Sequence, residues 1–595
     1  MEPFALLHRD GAPHVELLRG SLETVPTLAD IPLPPGRGPQ TLALIPYRQI
    51  TERGFACVDD GTPLECLRVS SVTSVPLAEI IAGLPGELSV SEGAFDIDDE
   101  TYAGIVGDVL REEIGHGEGA NFVIHRVYEA TVAGDPVDAA RAAFRRLLTG
   151  EQGAYWTFLV HTGTRTLVGA TPERHVSVDA GLVMMNPISG TYRHSDPRGL
   201  AEFLADRKEI EELHMVLDEE LKMMATVAEH GGQVVGPYLK HMAHLTHTEY
   251  LLAGRGSLDV RDVLRETMFA PTVTGSPIEN ACRVIARHER RGRGYYAGVL
   301  ALLGHDDEGR QTLDAPILIR TASISPAGEL RVPVGATLVR HSTPADEVAE
   351  THAKAAGVLA ALHGRAPSSF EPPVADEAAL AALAARNEGL ARFWLDERTP
   401  GNPSLGRTAV IVDGEDTFTA MLTHQLRALG LSVSVVPWSA PAVPPADLLI
   451  LGPGPGDPAS DSPKMVRLRG LAAAALEDGR PILGVCLGHQ ILASVLGLPL
   501  RRRDSPYQGL ARDIDLFGAT RRVGFYSSFT ALASEDADGF EIAADPDGTV
   551  HALRGAGFAG VQFHPESVLS RDGLVVLGDL LPALLERVIS PSVSG

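Results

Sequence analysis

Hydrophobic and polar positions change their rhythm twice along the 595 residues, and the changes divide the chain. From Thr408 onward, short β-branched and aliphatic runs alternate with stretches of helical period. Thr408-Ala-Val-Ile-Val-Asp413 and Pro481-Ile-Leu-Gly-Val485 read as buried strands, and His489 to Leu496 as the helix after the second. Such continuous apolar strands suit a parallel sheet covered on both faces, an α/β unit over residues 408–595. Residues 364–407 break the pattern and predict a linker. Proline pairs and Gly/Asn/Ser clusters flank an Ala/Leu stretch, Glu377 to Phe393, with the period of one amphipathic helix. Residues 1–363 mix alternating strands with long helices and lack a βαβ rhythm, as an α+β unit would. Within them, residues 1–90 are rich in Pro and Gly and carry no motif with a chemistry attached.

The charge balance narrows the function. Lys+Arg 51 against Asp+Glu 77 gives a formal charge of -26, which excludes a nucleic-acid or anionic-membrane partner. The first residues, Met1-Glu-Pro-Phe-Ala-Leu-Leu-His-Arg-Asp10, have no basic-then-apolar signal. No uncharged apolar run reaches the ~18 residues of a membrane helix, so a cytoplasmic location is expected. Cys57, Cys66, Cys282 and Cys486 form no CxxC pair, which argues against a disulfide framework or structural zinc.

Cys486 falls on the tight turn between a strand and a helix, in Gly484-Val-Cys-Leu-Gly-His-Gln490. The helix N-terminus and a nearby imidazole favour a thiolate there. Downstream, Gly560-Val-Gln-Phe-His-Pro-Glu566 supplies His564 as base and Glu566 as its orienting carboxylate, two residues on along an expected extended segment. Upstream lies Leu449-Ile-Leu-Gly-Pro-Gly-Pro-Gly-Asp457. A phosphate-loop reading of its glycines fails because no Gly-Lys-Ser/Thr follows. In this order the three segments resemble class I glutamine amidotransferases over residues 405–585. The resemblance implies glutamine as a substrate and an oxyanion hole at the amides around Gly454 and Leu487.

Two acidic segments in the first unit, Lys208-Glu-Ile-Glu-Glu-Leu-His-Met-Val-Leu-Asp218 and Asp346-Glu-Val-Ala-Glu-Thr-His-Ala-Lys354, read as helices. Glu209 and Glu212 share a face, as do Glu347 and Glu350. Facing each other, they would make an oxygen-rich site of the kind Mg²⁺ takes. Around them lie Gly169-Ala-Thr-Pro-Glu-Arg174, Asn186-Pro-Ile-Ser-Gly-Thr-Tyr192, Met242-Ala-His-Leu245, Thr272-Val-Thr-Gly-Ser-Pro277, Arg293-Gly-Tyr-Tyr-Ala-Gly298 and Ile319-Arg-Thr321.

In that order these motifs resemble the chorismate-utilising synthases (anthranilate, aminodeoxychorismate, isochorismate and aminodeoxyisochorismate) over residues 95–360. The resemblance implies antiparallel sheets flanked by helices, with chorismate as substrate and Mg²⁺ as cofactor. Glu212 and Glu350 match the metal ligands, with Glu209 and Glu347 lining the same site. Glu173 matches the acid that protonates the departing 4-hydroxyl. Gly190 and Thr191 match a substrate-contacting turn, Tyr296, Arg320 and Lys354 the groups that hold carboxylates, and His244 a histidine near the ring. Related synthases imply a homodimer.

Within the family, water-using members carry a lysine base where this chain has Asn121, in Asn121-Phe-Val-Ile-His-Arg126, so the resemblance implies Asn121 as a substrate-binding residue that cannot deprotonate water. Members that form a covalent lysine intermediate carry lysine where this chain has Ser189. Both departures point to ammonia as nucleophile and to attack at C2. Pro187-Ile-Ser-Gly-Thr-Tyr192 and Thr272-Val-Thr-Gly-Ser-Pro-Ile278 look like the phenazine-pathway 2-amino-2-desoxyisochorismate synthases, and Gly524-Phe-Tyr-Ser-Ser-Phe529 departs from tryptophan-pathway partners. His244 is shared with anthranilate synthases, the alternative, in which pyruvate is also eliminated. The tryptophan-binding signature of those enzymes has only the echo Glu16-Leu-Leu-Arg19 here.

Overall fold

A computed structural model describes residues 2–194, 196–243, 245–364, 373–398, 406–534 and 539–585. The strands from Phe4–Arg9 to Glu329–Val339 form one hydrogen-bonded network in which every strand pair is antiparallel. Residues 1–90, silent in motif, supply four of these strands: Phe4–Arg9, His14–Val25, Gly38–Ile45 and Leu64–Pro76.

Both acidic segments are helices, longer than their motifs. Arg207–Val227 starts where the Asp206 side chain accepts from the Lys208 amide. Pro344–His363 starts where Thr343 accepts from the Asp346 amide with Pro344 in the first turn, and it stops at Gly364 with φ 67°. From Glu212 to Ala225 the first helix is buried on every side, because it lies between the antiparallel unit and the second unit.

The second unit has a seven-stranded sheet. Leu431–Pro437, Arg407–Asp413, Leu448–Leu451, Ile482–Val485 and Phe558–Val561 run parallel, followed by antiparallel Val550–Gly555 and Glu541–Ala544. A separate hairpin, Leu500–Leu516 with Ala519–Ala531, leans toward the first unit.

Two local expectations are corrected. The Glu377–Phe393 stretch is not one helix. It is helical over Glu377–Ala385, breaks at Arg386–Gly389, and makes a last turn at Arg392–Leu395. Arg386 and Asn387 turn inward to hydrogen-bond partners in the first unit, which outweighs helix propensity. Glu566 sits in a turn, not an extended segment, with the Ser567 amide bonded back to the His564 carbonyl at 3.2 Å.

Candidate active sites

Strand Ile482–Val485 and helix Leu487–Val495 meet at Cys486, whose backbone is forced to φ 51°, ψ -103°. The strain lifts the sulfur out of the turn, as a nucleophile elbow requires. A Cβ on Gly488 would run into the Leu451 carbonyl, so glycine lets the helix pack against the neighbouring strand. The Cys486 amide donates to the Val561 carbonyl at 2.9 Å, which ties the elbow to the strand leading to His564.

The Cys486 sulfur is an electrostatic partner of the His564 ring and lies 3.6 Å from the Tyr526 carbonyl. His564 Nδ1 is 2.8 Å from Glu566 Oε1, and both side chains are buried. The turn at Pro565 is what lets a carboxylate two residues on reach back to the ring. Burial disfavours the imidazolium, yet the Cys486 sulfur and the Glu566 carboxylate outweigh it and hold the His564 pKa well above its ordinary value. Phe418, 4.3 Å away between centroids, and Tyr526, edge-on at 5.7 Å, wall in the ring. Leu487 opens the helix, so its amide is among those without an intrahelical acceptor. Gly454 follows strand Leu448–Leu451, packed so closely on Gly414 that a Cβ would strike that residue's carbonyl.

The first unit encloses a pocket lined by Glu173, Gly190, Thr191, Glu212, Tyr296, Arg320, Glu350 and Lys354. The sheet thus gathers eight residues scattered over 182 positions of sequence onto one cavity. Glu173 is buried, which pushes its carboxyl up to about 8 although the Ile188 amide donates to it at 3.4 Å. It is therefore protonated at neutral pH. Arg320 has no carboxylate partner among the described residues; it reaches His247 Nε2 at 3.1 Å and the Met242 sulfur at 3.4 Å. Tyr296 stacks on His125, centroids 5.1 Å apart, and His125 is held by Glu289.

The carboxylates form a second layer. Ser189 Oγ donates to Glu212 Oε1 at 2.8 Å, Lys208 pairs with Glu347 at 3.0 Å, and Lys354 pairs with Glu350 at 2.6 Å. Burial pushes Glu209, Glu212 and Glu347 up to about 7, and repulsion from Glu350 adds to it in each. Burial acts the same way on Glu350, but Lys354 and Lys208 outweigh it and keep that carboxyl below its ordinary range.

Four carboxylates therefore face two ammonium groups, with Glu209 Oε2 and Glu347 Oε2 buried and without hydrogen-bond partners among the described residues. This hard, electron-rich donor set fits a divalent cation such as Mg²⁺. As they stand, no three of the potential ligands among the described residues converge closely enough to hold an ion.

Not every expected residue reaches the pocket. Glu209 and Glu347 are one helical turn from Glu212 and Glu350 and do not line it. Asn121 also fails to line it: it sits buried at the start of strand Asn121–Thr131, two residues before Val123, which does. Its side-chain amide has no partner among the described residues. His244 lies outside the described residues.

One titratable residue that lines the pocket lies outside the sequence motifs. His247, on strand Leu245–Arg255, donates from Nδ1 to the Gly190 carbonyl at 2.6 Å and accepts from Arg320 at Nε2. Burial and the Arg320 charge push its pKa down to about 3, so it is neutral. The available signal was the alternation Thr246-His-Thr248, which places His247 opposite its two neighbours on the strand.

A family model described as chorismate binding enzyme matches residues 68–360, and one described as glutamine amidotransferase class-I matches residues 410–582. The chain is 50% identical to "Anthranilate synthase, phenazine specific" of Pseudomonas chlororaphis over 98% of its own length and 94% of that protein's. It is 49% identical to the protein of the same name from Pseudomonas fluorescens, over 100% and 97%. An anthranilate synthase of Azospirillum brasilense is 32% identical over 78% of this chain and 62% of its own. No helix among the described residues is long and apolar enough to cross a membrane. The chain belongs to the family of those two Pseudomonas proteins and joins a chorismate-binding unit to a class I glutamine amidotransferase unit on one polypeptide.

Proposed function

We propose that this glutamine-dependent, chorismate-utilising enzyme aminates chorismate at C2, expels the 4-hydroxyl and keeps the enolpyruvyl ether, giving 2-amino-2-desoxyisochorismate. In the amidotransferase, Cys486 attacks the glutamine amide carbonyl while the amides of Leu487 and Gly454 receive the oxyanion. His564, oriented by Glu566, passes a proton to the departing ammonia, and water then hydrolyses the thioester. In the synthase, Arg320 pairs with a carboxylate of chorismate, with Tyr296, Gly190 and Thr191 around it. Glu173 protonates the 4-hydroxyl, which leaves as water while ammonia adds at C2 and the ring double bonds shift. Glu212 and Glu350, with Glu209 and Glu347 behind them, would hold Mg²⁺, which when bound neutralises the substrate's ring carboxylate.

The observation that carries the amination is the pocket's inventory. It holds a protonated carboxyl, and its one lysine among the described lining residues, Lys354, is tied to Glu350 and to the Gly335 carbonyl at 3.1 Å. No free lysine is left to deprotonate water or to attack the ring, whereas ammonia needs neither. Retention of the enolpyruvyl group rests on the likeness of Pro187–Tyr192 and Thr272–Ile278 to the phenazine-pathway synthases; the 50% identity to the phenazine-specific proteins, against 32% to the Azospirillum enzyme, agrees with that branch. Anthranilate synthesis is the alternative, and both phenazine-specific relatives bear the name anthranilate synthase. A lactate dehydrogenase coupled assay on chorismate, glutamine and Mg²⁺ separates the two. Chorismate consumption without pyruvate or anthranilate fluorescence is expected; stoichiometric pyruvate and anthranilate would install the alternative.

A further inference from the structure

The segment between the two units hydrogen-bonds to residues that support both active sites. At its first end Arg386, 3% exposed, donates through Nε to the Leu204 carbonyl at 3.0 Å and through Nη1 to Thr248 Oγ1 at 3.2 Å. Thr248 Oγ1 donates to the Ser189 carbonyl at 2.8 Å, and Ser189 Oγ donates to Glu212 at 2.8 Å. Three hydrogen bonds thus connect a linker guanidinium to a carboxylate that lines the chorismate pocket. Beside it, Asn387 accepts from the Tyr250 hydroxyl at 2.7 Å and donates to the Gly236 carbonyl at 2.7 Å, which fixes the break in the helix.

Five residues further on, the same segment reaches the other site. The Ala391 amide donates to the Val568 carbonyl at 2.7 Å. Trp394, fully buried, donates its indole N–H to the carbonyl of Glu566 itself at 2.8 Å. That residue's carboxylate orients His564, so the indole fixes the backbone from which the third member of the triad projects. A tether that only joined two units would need none of these contacts. A tether of Gly and Ser does the same without them.

Building on the proposed function, we propose that the linker is a structural part of both active centres: Trp394 is a positioning residue for the Cys486–His564–Glu566 triad and Arg386 one for the Ser189–Glu212 wall of the chorismate pocket. Displacements of about 1 Å in supporting groups cost catalysis up to ~100-fold, so each contact has a measurable share in its own site. The proposal predicts a crossed pattern that loss of general stability would not produce.

The test uses the full chain and two assays, glutamine hydrolysis alone and ammonium-dependent consumption of chorismate, with melting temperatures in parallel. Trp394→Phe keeps the aromatic packing and removes the N–H. Ala391→Pro removes the second donor at a residue whose φ of -66° proline adopts without strain. Each should lower kcat for glutamine hydrolysis roughly tenfold, with KM for glutamine changed less than about twofold and ammonium-dependent synthesis intact. Arg386→Gln should show the reverse, and Arg386→Lys should recover part of the loss.

Folded Trp394→Phe and Ala391→Pro enzymes with wild-type glutamine hydrolysis would overturn the proposal. So would three variants that lose both activities in step with their melting temperatures. A wild-type enzyme that left chorismate untouched with either nitrogen donor would sink the proposed function instead, while the glutamine arm would still judge Trp394.

Discussion

The Tyr526 hydroxyl of the amidotransferase hairpin donates to Oδ2 of Asp218, on the synthase helix Arg207–Val227, at 2.8 Å. Ser567 Oγ donates to the same oxygen, and the Val568 amide donates to Oδ1 at 2.9 Å. One buried carboxylate of the helix that bears Glu209 and Glu212 therefore holds the two residues that follow Glu566. The units are joined at Asp218 by three donors on one carboxylate, and such networks are costly to leave half-made.

Replacing Asp218 by alanine would strand three buried donors. At ~1–3 kcal/mol for each unsatisfied group, with incomplete additivity, the packing of the amidotransferase on the synthase should weaken by roughly 2–5 kcal/mol. Calorimetry should show an earlier first transition, and glutamine hydrolysis should fall with it. An unchanged melting profile would mean that the contact contributes little.

Cys486→Ala should abolish glutamine-dependent turnover and leave turnover on ammonium salts near the wild-type level, because the sulfur serves only to release ammonia. Paired assays with the two donors check this. Glutamine-dependent synthesis by the variant would contradict the triad.

Burial holds the Glu173 carboxyl at about 8, far above the ordinary range of a glutamate. The raised value means the acid form dominates below about pH 8 and is lost as pH rises through it. Synthesis at a fixed concentration of free ammonia should therefore be flat near neutrality and decline above about pH 8. Glu173→Gln should lower the rate by ~10²–10⁴-fold and abolish the decline. A wild-type rate that kept rising through pH 9 would contradict the acid role.

Glu350→Gln keeps the shape of the side chain and removes its charge, so both donors should support synthesis at least ~10-fold more slowly at limiting Mg²⁺. Glutamine hydrolysis measured without chorismate should be spared. Full synthesis in chelator-treated buffer would remove the metal from the account.

Several parts of the fold were legible in sequence because their signals are local. Ile482–Val485 is buried on both faces and reads as an unbroken apolar run; Cys486 stands at its end; Glu209 with Glu212 and Glu347 with Glu350 are spaced as on one face of a helix. What stayed hidden depends on partners remote in sequence. Periodicity over Glu377–Phe393 cannot reveal that Arg386 finds Thr248, 138 residues away, or that Trp394 finds Glu566, 172 residues away. The motif Met242-Ala-His-Leu245 points to His244, whereas His247 lies past its end on strand Leu245–Arg255, where alternation and not the motif places it. The family roles of Lys354 and Glu350 are separate, although their i, i+4 spacing suits the ion pair they form. Motif position points to Asn121, yet the sheet puts Val123 in the pocket instead.

The central claim is transfer of the glutamine amide nitrogen to C2 of chorismate with the enolpyruvyl ether intact. Mass spectrometry of the product formed from chorismate and amide-¹⁵N glutamine in the presence of Mg²⁺ tests it in one experiment. The account predicts a non-aromatic amino acid that carries the label and retains all ten carbons of chorismate. Labelled anthranilate with free pyruvate would contradict retention of the ether, and an unlabelled isochorismate would contradict amination itself.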